Sequence, residues 1–282
     1  MPGTLYIVAT PLGNLEDITL RAIRTLKEVD VIAAEDTRHT QVLLNHFAID
    51  TPLTSYHQHN EAAKTEPLVT RLEHGETIAL VCDAGTPAIS DPGYRLVVAA
   101  IGAAVRVIPI PGPSALIAAL SAAGLPTDGF DFRGFLPARK QERRSKLQEL
   151  REGRYTIVVY ETPHRLKESL SDVHEILGDR RMVLAREVTK LHEEFLRGRI
   201  SEVIAEISRR ELRGEMTLII EGRSDASMTS EAALRHEIDN LKGEGMRVKE
   251  IAEILGEKYG YAKREIYRLA IQDIQQEVKR KP

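Results

Sequence analysis

Apolar runs rich in β-branched residues alternate with helical segments along the first part of this chain, and each run ends at a cluster of turn-forming residues. The runs expected to form strands cover residues 4–9, 31–34, 78–82 and 105–110. Strands that alternate with helices predict a largely parallel sheet with helices on both faces. The alternation therefore favours an α/β fold.

The pattern changes at residues 124–137, where glycine and proline are interleaved with Phe130, Phe132 and Phe135. We interpret this segment as a domain junction. The alternative is an ordered loop over a cleft, because aromatic residues are unusual in a flexible linker. A second α/β block follows, and its strands are expected at residues 156–160, 182–185, 195–197 and 217–221.

The chain closes with two or three predicted helices, which follow a polar linker at residues 222–230. We therefore predict three parts: an N-terminal α/β domain at residues 1–113, a second α/β domain at 114–224, and a C-terminal helical module at 230–282.

The composition of the chain limits its possible functions. Hydrophobic residues make up 42% of the 282 positions, but no apolar run approaches the roughly 18 residues that a membrane span needs. The N-terminus lacks the layout of a signal peptide, and the only cysteine, Cys82, cannot form an internal disulfide. We therefore expect a cytoplasmic protein that does not contact a membrane.

The charge is unevenly distributed along the chain. The net charge of −3 argues against a general nucleic-acid coat protein, but the second half is net positive and can meet a polyanion. Five basic residues are expected to guide such a partner: Arg139, Lys140, Arg143, Arg144 and Lys146.

A ligand cleft is expected where the parallel strands end, because ligands of such sheets bind beyond the carboxyl ends of the strands. Gly85 and Gly112 allow close backbone approach there, and Ser114 can cap the helix that it opens. The chain contains neither G-x-G-x-x-G after the first strand nor a P-loop, so an ordinary dinucleotide site or NTPase site is disfavoured. No metal site is expected. His57 and His59 form the only close histidine pair, and one such pair supplies too few ligands to hold a metal.

Polar residues also cluster at the ends of the predicted strands and are candidates for acid–base chemistry. Each one alone can equally be a helix cap or an ion-pair partner. The candidates are Glu35, Asp36, Arg38, Asp83, Glu161, His164, Arg165, Arg186, Glu187 and Lys190.

Eight motifs together resemble those of the tetrapyrrole-methylase-like (class III) methyltransferases, and among these the enzymes that methylate ribosomal RNA. The resemblance covers essentially the whole chain. The motifs lie at residues 10–15, 34–38, 83–93, 111–115, 132–137, 160–165, 186–190 and 214–217. The segments at 83–93 and 161–165 are the most specific of them.

This resemblance implies two α/β domains with S-adenosyl-L-methionine in the cleft between them, plus a small C-terminal helix-turn-helix-like module. The superfamily often has Gly-Asp-Pro where this chain has Gly85-Thr86-Pro87, so Asp83 is the displaced acidic group. The cofactor contacts that carry over are Pro11, Asp83, Gly85, Thr86, Pro87, Ile89, Ser114, Ala115, Tyr160, Glu161 and Ala185.

The implied reaction is methylation of the 2′-hydroxyl of a cytidine in the decoding region of 16S ribosomal RNA, on the small ribosomal subunit, by a homodimer. A general base would contribute about 10²–10⁴-fold to the rate. Its candidates are Glu35, Asp36, Glu161 and Glu187, and the groups expected to place phosphates or the ribose are Arg38, Arg165, Arg186 and Lys190. Alanine at Glu35, Glu161 or Glu187 is expected to reduce methylation strongly without unfolding the protein.

Other functions remain open from the sequence. An enzyme of the same superfamily could act on a porphyrinogen or on a diphthamide precursor, and a protein with the same fold could bind ribosomes without catalysis. The C-terminal helices could contact RNA or only pack and support a dimer. Their expected apolar face is Val248, Ile251, Ala252 and Leu255, and their basic residues are Arg247, Lys249, Lys263, Arg264 and Arg268.

Overall fold

The computed structural model describes residues 1–223, 231–259, 263–264 and 266–271, without the side chains of 231–233 and 257. The chain forms two compact units. The larger contains Met1–Arg151 and Tyr155–Glu221, and the smaller contains Glu152–Arg154 and Gly222–Pro282. Both sheets belong to the larger unit.

The first sheet has five strands in the order β3-β2-β4-β1-β5, and all its neighbouring strands are parallel. The strands are β1 (Thr4–Val8), β2 (Val31–Ala34), β3 (Leu53–Ser55), β4 (Ile78–Val81) and β5 (Arg106–Ile110). Every residue of β2 and β4 is buried, as expected for parallel strands that are covered on both faces. The sequence predicts this sheet correctly, apart from the three-residue edge strand β3.

Helices cover both faces of the first sheet. They are α1 (Leu20–Glu28), α2 (Thr37–His46), α3 (Glu61–Glu73) and α4 (Tyr94–Gly102). Apolar residues of α1 and α2, among them Leu26 and Leu44, pack in one core cluster, while Leu72 of α3 and Leu96 of α4 belong to a second cluster.

The second sheet also has five strands, in the order β6-β7-β10-β8-β9. They are β6 (Phe130–Phe135), β7 (Thr156–Glu161), β8 (Arg181–Arg186), β9 (Glu194–Arg199) and β10 (Met216–Ile220). Only β6 and β7 are parallel, and the other neighbours are antiparallel. The short connection from β8 to β9 contains no helix, so it cannot make the crossover that a parallel pair needs.

Four helices flank the second sheet: α5 (Ala115–Ala123), α6 (Lys140–Leu150), α7 (Pro163–Leu177) and α8 (Ile200–Ser208). Leu116 and Leu120 of α5 pack with Val158 and Val183 in one core cluster. Residues of α6, α7 and α8 form the other cluster. The packing of α5 on the second sheet favours the domain boundary near residue 113, which stays a prediction.

The segment at residues 124–137 contains a strand, so its interpretation as a domain junction was wrong. Strand β6 lies at the edge of the second sheet and has a register irregularity between Phe132 and Phe135. Gly134, in the irregular part, has a φ of +59°, which glycine adopts without steric cost.

The smaller unit contains α9 (Glu231–Gly243) and α10 (Val248–Tyr259), and residues 263–264 and 266–271 are also helical. Ile251, Ala252 and Leu255 are buried in its core with Ile266, as their helical spacing predicts. Over the described parts of the chain, we find no helix with the length and apolar character that a membrane crossing requires.

Candidate functional site

A cleft of about 390 Å³ lies at the carboxyl ends of the central strands of the first sheet and continues to the second sheet. Loops after β1, β4 and β5 form one wall, and β7, β8, β10 and the segments beside them form the other. The lining residues are Leu12, Ala84, Gly85, Thr86, Ile89, Ser90, Asp91, Ser114, Ala115, Phe135, Tyr160, Glu161, Thr162, Pro163, Ala185, Val188, Gly214, Glu215, Met216 and Thr217.

Hydrogen bonds join the three loops of the first wall. The backbone N–H groups of Thr10 and Gly85 each donate to the other residue's carbonyl oxygen at 2.9 Å. The Thr10 hydroxyl donates to the Cys82 carbonyl at 3.0 Å, and the Thr86 hydroxyl donates to the Pro113 carbonyl at 3.1 Å. These bonds fix the loops relative to each other before any ligand binds.

Gly85 and Gly112 of this wall are required to be glycine by different constraints. Gly85 has a φ of +86°, and a Cβ on it would lie 3.2 Å from Cδ2 of Leu12. A Cβ on Gly112 would lie 3.0 Å from the Cβ of Ala9, and Gly112 does not line the cleft. Gly112 therefore allows a loop to approach its own sheet, whereas the sequence suggested the approach of a ligand.

Aromatic residues make the second wall rigid. The Tyr160 ring packs edge-on against Phe132, with ring centroids 5.0 Å apart, and in a tilted arrangement against Phe135 at 5.6 Å. Burial raises the pKa of the Tyr160 hydroxyl, so this group stays protonated at neutral pH. The tyrosine can therefore present its ring and a neutral hydroxyl to a ligand.

Glu161 lines the cleft and is 1% exposed. Its Oε2 accepts from the Ser169 hydroxyl at 2.5 Å, and its Oε1 accepts from the Thr162 N–H at 2.8 Å. Arg165 donates through Nη2 to Oε2 at 3.5 Å and to the Leu136 carbonyl at 2.5 Å. Because both oxygens are already used, these contacts favour a positioning role for Glu161 and a structural one for Arg165.

Most of the predicted cofactor contacts come together in the cleft. The residues that line it are Gly85, Thr86, Ile89, Ser114, Ala115, Tyr160, Glu161 and Ala185. Pro11 and Pro87 are buried beside the lining. Asp83 does not line the cleft. Its Oδ1 instead accepts a hydrogen bond from the Asp36 N–H at 3.0 Å.

Asp36 and Arg38 pair with each other at the start of α2. The Asp36 carboxylate accepts from the Arg38 N–H at 2.8 Å and from its guanidinium at 2.9 Å. These hydrogen bonds lower the pKa of Asp36 to about 2. The Arg38 side chain is 90% exposed, so the pair caps a helix and lies outside the cleft lining.

Glu187 and Lys190 form a cluster with Glu215 at the rim of the cleft. Lys190 Nζ lies 3.0 Å from Oε1 of Glu187 and 3.0 Å from Oε2 of Glu215. Burial acts to raise the pKa of Glu187, but hydrogen bonds from Lys190 and the Glu215 N–H outweigh it and lower the pKa. A Cβ on Gly13 would lie 2.5 Å from Cγ of Lys190, so the loop after β1 touches this cluster.

A second cavity of about 620 Å³ adjoins the cleft and shares Ser90 and Asp91 with it. Glu35 lies in this second cavity, and burial, followed by the charge of Asp83, raises its pKa. Sequence reasoning missed Asp91 as a site residue. The available signal was its position directly before Pro92-Gly93, at the turn that opens α4.

Two of the five basic residues expected to guide a polyanion form ion pairs with carboxylates of α7. Arg143 is 1% exposed and lies 2.7 Å from the Asp172 carboxylate. Arg144 pairs with Asp172 at 2.9 Å and with Glu175 at 2.5 Å. The prediction that Arg143 guides a polyanion was therefore wrong, because a buried side chain cannot reach a phosphate.

Solved structures resemble this chain in fold. A uroporphyrin-III C-methyltransferase from Thermus thermophilus, complexed with S-adenosyl homocysteine, has a TM-score of 0.54 at 20% identity over 78% of this chain and 97% of its own. A diphthine synthase has a TM-score of 0.58 at 13% identity over 79% of this chain and 91% of its own. These likenesses show the fold.

The chain belongs to the Tetrapyrrole (Corrin/Porphyrin) Methylases, whose family model matches residues 4–204. Within that family it is similar to ribosomal RNA small subunit methyltransferase I. The protein of that name from Halalkalibacterium halodurans is 49% identical over 96% of each chain. The one from Synechocystis sp. is 47% identical over 96% of this chain and 98% of its own, and the one from Escherichia coli O157:H7 is 46% identical over 96% and 95%.

Proposed function

We propose that this chain transfers a methyl group from S-adenosylmethionine to ribosomal RNA of the small subunit. The observation that carries the proposal is the two-walled cleft in a chain that matches a ribosomal RNA small subunit methyltransferase I at 49% identity over 96% of its length.

The residues of the cleft fit this cofactor in size and chemistry. A volume of about 390 Å³ lies within the roughly 300–1,000 Å³ typical of small-molecule sites. Leu12, Ile89 and Ala115 offer apolar surface for the adenosine part, and Glu215 offers a carboxylate for a cationic group. The Ser114 hydroxyl makes no capping hydrogen bond to α5, so the first N–H groups of that helix are available for an anionic group.

When bound, S-adenosylmethionine supplies an electrophilic methyl group on a sulfonium sulfur. The hydrogen-bonded loops at Thr10, Gly85 and Thr86 hold one side of the cleft in place, and the Tyr160 ring with its phenylalanine neighbours holds the other. Such a pre-formed cleft orients the reacting groups, which can lower a barrier by roughly 7–11 kcal/mol. The buried Glu161 keeps the start of α7 against this wall through Thr162 and Ser169.

We further propose the finer details that the resemblance implies: the acceptor is the 2′-hydroxyl of a cytidine in the decoding region of 16S ribosomal RNA, and the enzyme acts as a cytoplasmic homodimer. The expected cofactor contacts at Pro11 and Pro87 stay predictions, as does a direct role for Glu35, Glu187 or Lys190. The buried positions of both prolines beside the lining support a role in shaping the cleft.

A methylation assay with labelled S-adenosylmethionine tests the proposal. Small ribosomal subunits, a porphyrinogen and an elongation factor are offered separately as acceptors. We expect label only in the small subunit, and 2′-O-methyl mapping of its RNA then locates the nucleotide. Label in the porphyrinogen or the elongation factor would assign the chain to another branch of the family. Failure of the protein to bind the cofactor in calorimetry would leave only a ribosome-binding role.

A further inference from the structure

The cavity beside the cleft has the position that an acceptor needs. It is lined by Glu35 after β2, by Gln58 and Glu61 before and in α3, and by Tyr94 and Val98 of α4. It meets the cleft at Ser90 and Asp91, which line both spaces. A group in the second cavity can therefore approach a group in the cleft beside these two residues.

The loop that carries Asp91 has an unusual backbone. Ala88 and Ser90 have φ values of +68° and +65°, a left-handed conformation that is strained for residues other than glycine. Neighbours hold the loop in this shape. A Cβ on Gly134 of β6 would lie 2.8 Å from the Ser90 hydroxyl oxygen, and one on Gly93 would lie 2.7 Å from Cδ2 of Leu80.

The carboxylate of Asp91 is held among groups of like charge. No lysine or arginine of the described ranges forms an ion pair with it. The carboxylates that face it are Glu35 after β2, Asp83 after β4 and Glu215 before β10. The neutral Cys82 thiol also faces it, and its hydrogen bond acts in the opposite direction, to lower the pKa of Asp91. Glu61 and Arg95, which lie 3.7 Å apart, line the far side of the cavity. Burial, followed by the charge of Glu35, raises the pKa of Asp91 to about 6.

These properties suit a proton acceptor that works near neutral pH. A carboxylate in this environment is ionised above about pH 6 and is more basic than an exposed aspartate, which makes it a better general base. Glu35 has neighbours of the same sign but does not reach the cleft lining. Glu161 reaches the lining, but both its oxygens already accept hydrogen bonds.

We propose that Asp91 accepts the proton of the acceptor hydroxyl, and that the cavity between Glu35 and α4 holds the nucleoside that carries this hydroxyl. This inference rests on the proposed function. In the step, the hydroxyl oxygen forms the new bond to the methyl carbon as the carbon–sulfur bond breaks. The electron pair of that bond stays on sulfur, and the hydroxyl proton moves to a carboxylate oxygen of Asp91.

The first test compares Asp91→Asn with the wild type and with Glu66→Gln, a control on the outer face of α3. We expect Asp91→Asn to lower the turnover rate on small subunits by about 10²–10⁴-fold, with cofactor affinity in calorimetry changed less than about threefold. Glu66→Gln should match the wild type in both measurements. If Asp91→Asn instead lost cofactor affinity in proportion to its activity, Asp91 would be a cofactor ligand and its role as base would be overturned.

A second test uses the charge of Glu35. In Glu35→Gln the repulsion on Asp91 is reduced, so the acidic limb of the pH–rate profile should move to lower pH than in the wild type, where it lies near pH 6. An unchanged limb would show that Asp91 is not the titrating group.

A third readout needs no activity. A carboxyl whose pKa is raised by folding destabilises the native state above its unfolded pKa, and the loss is complete above its folded pKa. The melting temperature of Asp91→Asn relative to the wild type should therefore be higher at pH 8 than at pH 4. An equal difference at the two pH values would show that Asp91 titrates normally.

The outcomes separate this inference from the proposed function. If wild-type protein does not methylate small subunits, the proposed function fails, whatever the Asp91 variant does. If the wild type is active and Asp91→Asn is equally active, only the role of Asp91 fails.

Discussion

Arg143 occupies a core position of α6 although its charge predicts an exposed one. It shares a buried helix face with Leu147 and Leu150, at spacings of four and seven residues. Its guanidinium lies 2.7 Å from the carboxylate of Asp172 on α7, and it also donates to the Ala138 carbonyl at 3.2 Å. A buried charge persists only with such partners, and here the main partner comes from another helix.

Asp172→Asn should destabilise the larger unit strongly. The substitution leaves the buried Arg143 guanidinium with only the exposed Glu168 carboxylate, 3.7 Å away, as a counter-charge, and breaking a buried pair in this way typically costs about 3–5 kcal/mol. Urea unfolding at pH 7.5 measures the free energy of unfolding of the variant and the wild type. Arg139→Gln is the matched control, because its exposed pair with Glu142 should contribute less than about 1 kcal/mol.

The pair of Arg143 and Asp172 also predicts how the free energy of unfolding depends on pH. Burial acts to raise the pKa of Asp172, but hydrogen bonds from Arg143 and Arg144 outweigh it and lower the pKa. A carboxyl with a lowered folded pKa stabilises the native state above its unfolded pKa and loses that contribution as the pH falls through the folded pKa. The difference between wild type and Asp172→Asn should therefore shrink below about pH 4.

The loops around the cleft depend on close backbone approaches that particular glycines allow. Gly214 has a φ of +89°, and a Cβ on it would lie 2.3 Å from Cδ of Glu187. Glu187 in turn accepts from the Lys190 ammonium and the Glu215 N–H. A side chain at position 214 would therefore displace the whole acidic–basic cluster at the rim.

Gly214→Ala should cost more stability than Gly124→Ala and should also weaken cofactor binding. Gly124 ends α5 with a φ of +72°, and a Cβ there would have no neighbour within 4 Å. Both variants incur the left-handed strain of about 1–2 kcal/mol, but only Gly214→Ala adds overpacking, typically about 1–3 kcal/mol. Urea unfolding and calorimetric titration with S-adenosylmethionine measure both effects. Equal losses in the two variants would show that the contact with Glu187 does not matter.

The sequence predicts elements well where a local pattern dictates them. The runs at 31–34 and 78–82 form β2 and β4 because their apolar residues are buried on both faces. Strand β6 was missed, since an edge strand with Gly134 and exposed Phe130 and Phe135 shows no clean alternation. The mixed direction of the second sheet depends on pairings between distant segments, such as β7 with β10, which no local pattern encodes.

The candidate site was predictable to a similar extent. The loops with small residues at 85–89 and 114–115 follow parallel strands. Because the carboxyl ends of parallel strands lie at the same edge of a sheet, the sequence alone places these loops together there. The resemblance added Tyr160 and Ala185. Asp91 was missed because its importance comes from its place between two cavities and from Glu35, which is distant in the chain. Asp83 failed as a lining residue because the Asp36 N–H holds its carboxylate.

The uneven distribution of charge over the molecule allows a test of which surface attracts RNA. Arg143 is buried and Arg144 pairs with Asp172 and Glu175, so the residues of α6 and its start to replace are Arg139, Lys140 and Lys146. Replacing all three with Gln should lower affinity for the small subunit. It should also reduce the slope of log affinity against log salt by about 0.7–0.9 for each phosphate that the protein no longer neutralises. Filter binding over a range of salt concentrations measures both quantities.

Arg21, Arg24 and Lys27 on α1 provide a control with the same change in net charge. Their replacement with Gln should leave the salt slope unchanged. If both triple variants behaved alike, the attraction would be a property of total charge, and α6 would have no special part in it.

The strand order of the two sheets determines when each can be completed as the chain is synthesised. Strand β1 pairs with β4 and β5. Since β1 is the first strand to be synthesised, it can complete its pairing with β5 only after Ile110 has been added. Strand β10 follows all the other strands of its sheet in the chain, yet it lies between β7 and β8. Until Ile220 has been added, β7 and β8 have no strand between them. The wall of the cleft that contains Tyr160 and Ala185 is therefore finished well after the strands of the opposite wall have all been made.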